Sequence, residues 1–143
     1  DADQAILDIA QQKARQGSMK LELHKALGQK LPFDAESFDV AVSSLFFHHL
    51  RTKDKIDTFK SVFNVLRSGG ELHIADWGKP TNRLMRLLFF LVQLLDGFET
   101  TQDNVDGNLP KLMQKAGFED VHTRQTFSTI FGTITLYRAK KRK

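Results

Sequence analysis

The sequence predicts an α/β domain of three layers around a mostly parallel sheet. Short apolar, β-rich runs alternate with segments of helical periodicity along most of the chain. One of those runs, residues 38–46 (FDVAVSSLF), is apolar on both faces, the pattern of a strand buried inside a parallel sheet. Two further β runs, residues 118–126 and 129–138, follow one another at the C-terminal end.

A first helix is predicted over residues 3–15. Ala2, Ala5, Ile6, Ile9, Ala10 and Ala14 fall on one stripe, Asp3 can cap the N-terminus, and Gly17-Ser18 ends the run. Residues 20–25 alternate, with Leu21 and Leu23 on one face and Glu22 and His24 on the other, and predict a short strand. Leu31-Pro32-Phe33-Asp34 is a turn leading into the strand at 38–46. A helix over 52–66 turns Ile56, Phe59, Val62, Phe63 and Leu66 inward, and Ser68-Gly69-Gly70 is expected to stop it. Residues 71–77 form the next strand. Residues 83–95 are apolar almost all round, as in a buried or partner-facing helix. A helix over 109–116 is closed by Gly117, and Gly132 is expected to mark a bulge in the last β run. In sheets of this class ligands bind beyond the carboxyl ends of the strands. Attention therefore falls on Leu27 and Gly28, on residues 43–49 and on residues 76–80.

Composition narrows the function. The 143 residues suffice for one core, and 41% hydrophobic with 27% charged residues is ordinary globular composition. The absence of cysteine excludes disulfides, zinc–thiolate sites and cysteine nucleophiles. The apolar run at 87–95 is too short to span a bilayer, and no basic segment followed by an apolar one opens the chain. A cytoplasmic protein with no signal peptide and no stable membrane anchoring is expected. The net charge is +4, and five positive charges fall within residues 138–143, read as a frayed, solvated tail. With the body near neutrality and no basic stripe interleaved with aromatics, nucleic acid is not expected as a partner.

Several stretches at fixed spacing go further: Asp1-Ala2-Asp3 before a helix containing Ile9-Ala10, then LPFDAESFDVAVSSLFFHHL, VLRSGGELHIADW and KAGFEDV. Together they resemble the class I S-adenosylmethionine-dependent methyltransferases, in particular the group that includes the quinone C-methyltransferases. The resemblance covers nearly the whole chain and is thinnest between Thr81 and Asn108. It implies a Rossmann-like sandwich ending in an antiparallel hairpin, with S-adenosylmethionine as cofactor and a small, apolar acceptor. It places Asp1, with Ala2 beside it, where the family's acidic residue accepts hydrogen bonds from the ribose hydroxyls. Leu27 and Gly28 fall where the family lines the adenine, although Leu27 replaces a frequent polar residue there. Ser44 falls at the methionine end of the cofactor, with Leu45 and His49 just beyond it. The family's first strand and its glycine-rich loop should precede Asp1, and no Gly-x-Gly occurs in the chain. The expectation is therefore an N-terminally truncated domain, residues 1–143 forming the later two-thirds of the fold. Such a piece would bind the cofactor weakly or not at all by itself.

Two residues stand out as candidates for chemistry. His49 is the better placed of His48 and His49 to act as acid or base on an acceptor; the alternative is that one of the pair packs and hydrogen-bonds in the loop while the other caps it. Asp76, at the end of a strand and followed by Trp77, could grip an acceptor or cap a helix; the indole could face a sulfonium. Residues 83–95 could lid an apolar acceptor, form core, or form an oligomer interface. Three readings follow. One is a methyltransferase acting on a small molecule; the lack of thiols sets aside its arsenite-methylating relatives. Another is a non-catalytic module that pairs with another chain or a second copy. The third, a nicotinamide-binding fragment, is opposed by the terminal pair of β runs. No metal site is expected.

Overall fold

The computed structural model describes residues 1–142. Helix α1 spans Gln4–Gln16 and β1 spans Phe38–Ser44, followed by a 3₁₀ turn, Phe47–His49. Helix α2, Thr52–Val65, leads into β2, Leu66–Trp77. Three helices come next, α3 (Arg83–Asp96), α4 (Phe98–Val105) and α5 (Leu109–Lys115), and the hairpin β3 (Glu119–Thr129) and β4 (Gly132–Lys140) completes the fold.

Local chemistry sets the helix starts. The Asp3 carboxylate accepts from the Ala5 amide at 2.8 Å, and the Asn82 side chain accepts from the Met85 amide at 2.9 Å, each filling an orphan donor of a first turn. Pro110 occupies the first turn of α5, where a missing N–H costs nothing.

The strand order is β1-β2-β4-β3. β1 runs parallel to β2, with Val40 opposite Glu71 and Ser44 opposite Ala75. β2 and β4 are antiparallel, as are β3 and β4. The sheet is thus mixed rather than mostly parallel. The tight β3–β4 hairpin forces the reversal, because consecutive strands joined by a short turn can pair only antiparallel. The core lies between one face of β2 and β4, bearing Leu72, Ile74, Tyr137 and Ala139, and helices α2 and α5, bearing Phe59, Leu109 and Met113. Phe47 stacks on Phe59 with ring centroids 4.3 Å apart. Full burial of a ring such as Phe59 stabilises by roughly 1.5–3 kcal/mol. On the opposite face Glu71 receives the Arg138 guanidinium, with Nε at 2.7 Å, and His73 lies 3.0 Å away. The Arg138 fork holds the Glu71 carboxyl down to about 2.

Several expected elements take another form. Residues 20–25 form no strand; Asp1 instead donates to the His24 carbonyl (3.2 Å) and accepts from the Ala26 amide (2.9 Å), one rung of a parallel ladder. β1 is parallel but not buried: its outer edge pairs with no strand among the described residues, and Val42 is 77% exposed. In α1 Leu7 and Ala14 turn inward while Ile6 and Ile9 face out. α2 stops at Val65, and Ser68-Gly69-Gly70 lies within β2, with Gly69 at φ +83° beside a break in register. Gly132 is not a mid-strand bulge but opens β4 at the hairpin, at φ +142°, where an added Cβ would meet Phe89 at 2.9 Å. The basic tail is not frayed as far as it is described: β4 continues to Lys140, and Lys141 Nζ reaches the Leu66 carbonyl at 2.8 Å and lies over the Phe63 ring. Lys143 lies outside the described residues.

Candidate functional site

Two neighbourhoods meet near the carboxyl ends of β1 and β2. The first is an apolar cleft of about 770 Å³ between the N-terminal segment and β1. Asp1, Ala2, Leu27 and Gly28 line one wall, and Val40, Val42 and Ser44 the other. The ladder rung at Asp1 fixes the first wall, while parallel pairing with β2 fixes the second. The Asp1 Oδ1 accepts from the Asp3 amide at 2.9 Å, which leaves Oδ2 without a partner among the described residues. Gly28 is held against the body: a Cβ there would meet Thr58 Cγ2 at 3.0 Å and Phe46 Cζ at 3.3 Å. Thr58 also lines the cleft, and its buried hydroxyl has no hydrogen-bond partner. A free carboxylate oxygen, apolar walls and an orphan hydroxyl suit a ligand with vicinal hydroxyls and a planar ring.

The second neighbourhood is built on Asp76, which is fully buried. Its Oδ2 accepts from the Phe46 amide (3.2 Å) and the Phe47 amide (2.7 Å). Its Oδ1 lies 2.7 Å from His48 Nδ1, 2.7 Å from the Trp77 amide and 3.4 Å from Asn104 Nδ2. A carboxylate in the interior is stable only with such partners. The result fastens the end of β2 to the turn after β1 and to α4. Leu45 sits in that turn at φ +49°, a left-handed conformation costing on the order of 1–3 kcal/mol for a side chain of this kind. Its amide donates to the Ala75 carbonyl at 2.8 Å. Lys55, buried beneath the same turn, donates to the Leu50 carbonyl at 2.6 Å and to the Thr100 carbonyl, with Asp103 at 3.5 Å. Burial pushes its ammonium pKa down, and Asp103 opposes that shift.

Asp1, Ala2, Leu27, Gly28 and Ser44 thus share one cleft, whereas Leu45 and His49 do not line it. His49 is exposed; its ring lies 3.9 Å, centroid to centroid, from that of His48. Of the two histidines, one of which is expected to pack and hydrogen-bond in the loop, His48 is the one joined to Asp76. It is 4% exposed, and its Nε2 points toward Asp96 Oδ2 at 3.7 Å. Trp77 packs edge-on to His48 and to Phe89 of α3. Thr58, Asp96 and Asn104 carry no sequence signal. Thr58 and Asn104 look like ordinary helix-surface residues until folding buries them, and Asp96 reads as the polar end of an apolar helix.

The methyltransferase domain family matches residues 1–74. The ubiquinone/menaquinone biosynthesis C-methyltransferase of Vibrio vulnificus is 23% identical over 161 residues, covering 99% of this chain and 60% of that protein. The chain therefore spans about three fifths of the length of such curated relatives. Among solved structures, a SAM-dependent methyltransferase of Methanosarcina mazei superposes with a TM-score of 0.71 at 18% identity, covering 99% of this chain and 80% of that one. Human N-acetylserotonin methyltransferase in complex with SAM gives a TM-score of 0.65 at 16% identity, covering 84% of this chain and 33% of that one. At such identities the likeness is one of fold: a Rossmann-like α/β domain.

Proposed function

The chain belongs to the class I S-adenosylmethionine-dependent methyltransferases, its residues 1–74 matching their domain, and on that premise we propose that it takes part in methyl transfer to a small, apolar acceptor. The observation that carries this is the convergence of Asp1, Ala2, Leu27, Gly28 and Ser44 on one cleft at the carboxyl end of β1. In this reading Asp1 receives the ribose hydroxyls through its free oxygen, and Ala2, Leu27 and Gly28 flank the adenine. Ser44 meets the methionine end, and the Thr58 hydroxyl gains a partner. S-adenosylmethionine supplies a methyl group on a sulfonium; the protein's task is proximity and orientation. The acceptor side is formed by the turn at residues 45–49, with His49 free to take a proton where the acceptor must lose one. Asp76 acts there by holding His48. The relatives named as ubiquinone/menaquinone biosynthesis C-methyltransferases suggest carbon as the methylated atom. Residues 1–143 are read as the later two-thirds of the domain and the setting as cytoplasmic. No helix among the described residues is long and apolar enough to cross a membrane.

The test is thermal stability with S-adenosylhomocysteine. Ligand bound to the native state raises stability by mass action, and at one hundred times the dissociation constant the gain is about 2.7 kcal/mol. A higher Tm that Asp1→Ala abolishes supports the assignment. No shift at millimolar ligand removes it from this chain.

The open edge of β1 favours a second reading, a module completed by a strand from another chain or a second copy. Unpaired N–H and C=O groups beside exposed Val40 and Val42 are a template for pairing. Sedimentation showing only monomer across the accessible concentration range would oppose self-pairing.

A further inference from the structure

The geometry points to a binding site for a divalent first-row transition ion, formed by His48 Nε2, a ring nitrogen of His49 and the Asp96 carboxylate. These three ligand atoms lie within 4.8 Å of one another, with His48 Nε2 and Asp96 Oδ2 3.7 Å apart. That last spacing is too long for a hydrogen bond. It suits two ligands of one ion, since bonds of roughly 2.0–2.2 Å at a tetrahedral angle separate ligand atoms by about 3.3–3.6 Å.

Two features argue that the cluster is built for a cation. The first is the support behind His48. Asp76, fully buried, lies 2.7 Å from His48 Nδ1 and fixes the ring so that Nε2 faces Asp96. A carboxylate behind the distal nitrogen of a ligating imidazole orients the ring and strengthens it as a donor. The second is the placement of Asp96. It is the last residue of α3, where the carbonyl ends of the helix already carry partial negative charge, and no basic residue lies in that final turn. The nearby cations are engaged elsewhere: Arg51 with Glu99 and Lys55 with Asp103. A carboxylate in that position gains from a positive charge held beside it.

Two imidazoles and one carboxylate are borderline donors, suited to zinc, cobalt, nickel or ferrous iron rather than to magnesium or calcium. Three protein ligands leave coordination open for water or for an acceptor oxygen. The site takes His48 and His49 from the turn assigned to the acceptor and none of the residues lining the cleft, so it is read out without cofactor; a bound ion would occupy His49 in place of the proton-accepting role proposed for it.

The experiment is a titration of the full chain, stripped with chelator, with Co²⁺ followed by visible d–d absorption, and with Zn²⁺ followed by calorimetry. One equivalent is expected to bind. Asp96→Asn and His49→Ala should each weaken it at least ten-fold, while His24→Ala and His122→Ala leave it unchanged. His49 is exposed, so its variant answers even if Asp96→Asn is poorly folded by circular dichroism. Displacement of the His48 and His49 ring nitrogen resonances on adding Zn²⁺ supplies an independent readout. Absence of binding, or binding that survives both His49→Ala and Asp96→Asn, overturns the proposal, as does loss of binding in His24→Ala or His122→Ala.

Discussion

Residues 1–44 bury only two apolar side chains, Leu7 and Ala14, whereas the chain beyond them is fastened by a continuous core and by the polar knot at Asp76. The first region supplies most of the apolar cleft; the second supplies the turn at residues 45–49. The contrast teaches that the two halves of the site differ in kind. The segment carrying Asp1 and Leu27 is held by one ladder rung, the packing of Gly28 and the bond from the Leu31 amide to Ser61 Oγ. The turn at residues 45–49 is set by buried groups that cannot move singly. Segments with few buried contacts open at low free-energy cost, so ligand binding should order the N-terminal segment far more than the turn.

The largest test of that contrast compares two truncations. Phe59→Ala should destabilise the protein by about 3–5 kcal/mol in denaturant melts, the range for a buried ring in a continuous core. Leu7→Ala should cost less than about 2 kcal/mol, because its surroundings can open locally. Equal costs would erase the distinction. Hydrogen exchange sharpens it: amides of α1 should exchange through local opening while those of β2 and β4 wait for global unfolding. Next in size, Gly132→Ala should cost about 1–3 kcal/mol, since it combines strained φ with the approach of Phe89. This would show that the hairpin and α3 belong to the tightly fastened region.

Acid should act on the same region. Glu71 titrates near 2 when folded against an ordinary 4.5, so the native state binds fewer protons between those values. Its contribution is complete above pH 4.5 and is lost as pH falls toward 2. Glu71→Gln should flatten the fall in Tm across that window. The smallest effect is expected on the cleft side, where Val42→Thr should change stability by no more than about 0.5 kcal/mol.

The helices with a broad apolar stripe, α2, α3 and α5, were legible within a residue or two, because a period near 3.6 survives any tertiary context. α4 was not. Its sequence, FETTQDNV, has little apolar periodicity and is secured by buried polar contacts, Gln93 to Thr101 and Asn104 to the Trp77 carbonyl. The apolar run at β1 correctly marked a parallel strand but overstated its burial, since composition tells what a strand can bury and not what lies beside it. At the site, motif spacing located the turn at residues 45–49. Which of two adjacent histidines turns inward depends on the 3₁₀ geometry of Phe47–His49, for which sequence has no marker.

The Asp76 carboxylate has a consequence for how this chain can change over generations. Its two oxygens serve the Phe46, Phe47 and Trp77 amides together with His48 and Asn104. The three amides are backbone and always present, so position 76 must keep an acceptor of similar reach. Positions 48 and 104 are then bound to it: replacing either alone leaves a buried group unmatched. Across homologous sequences these three positions should drift as a set, changing together or not at all, while Val40 and Val42 vary independently of them.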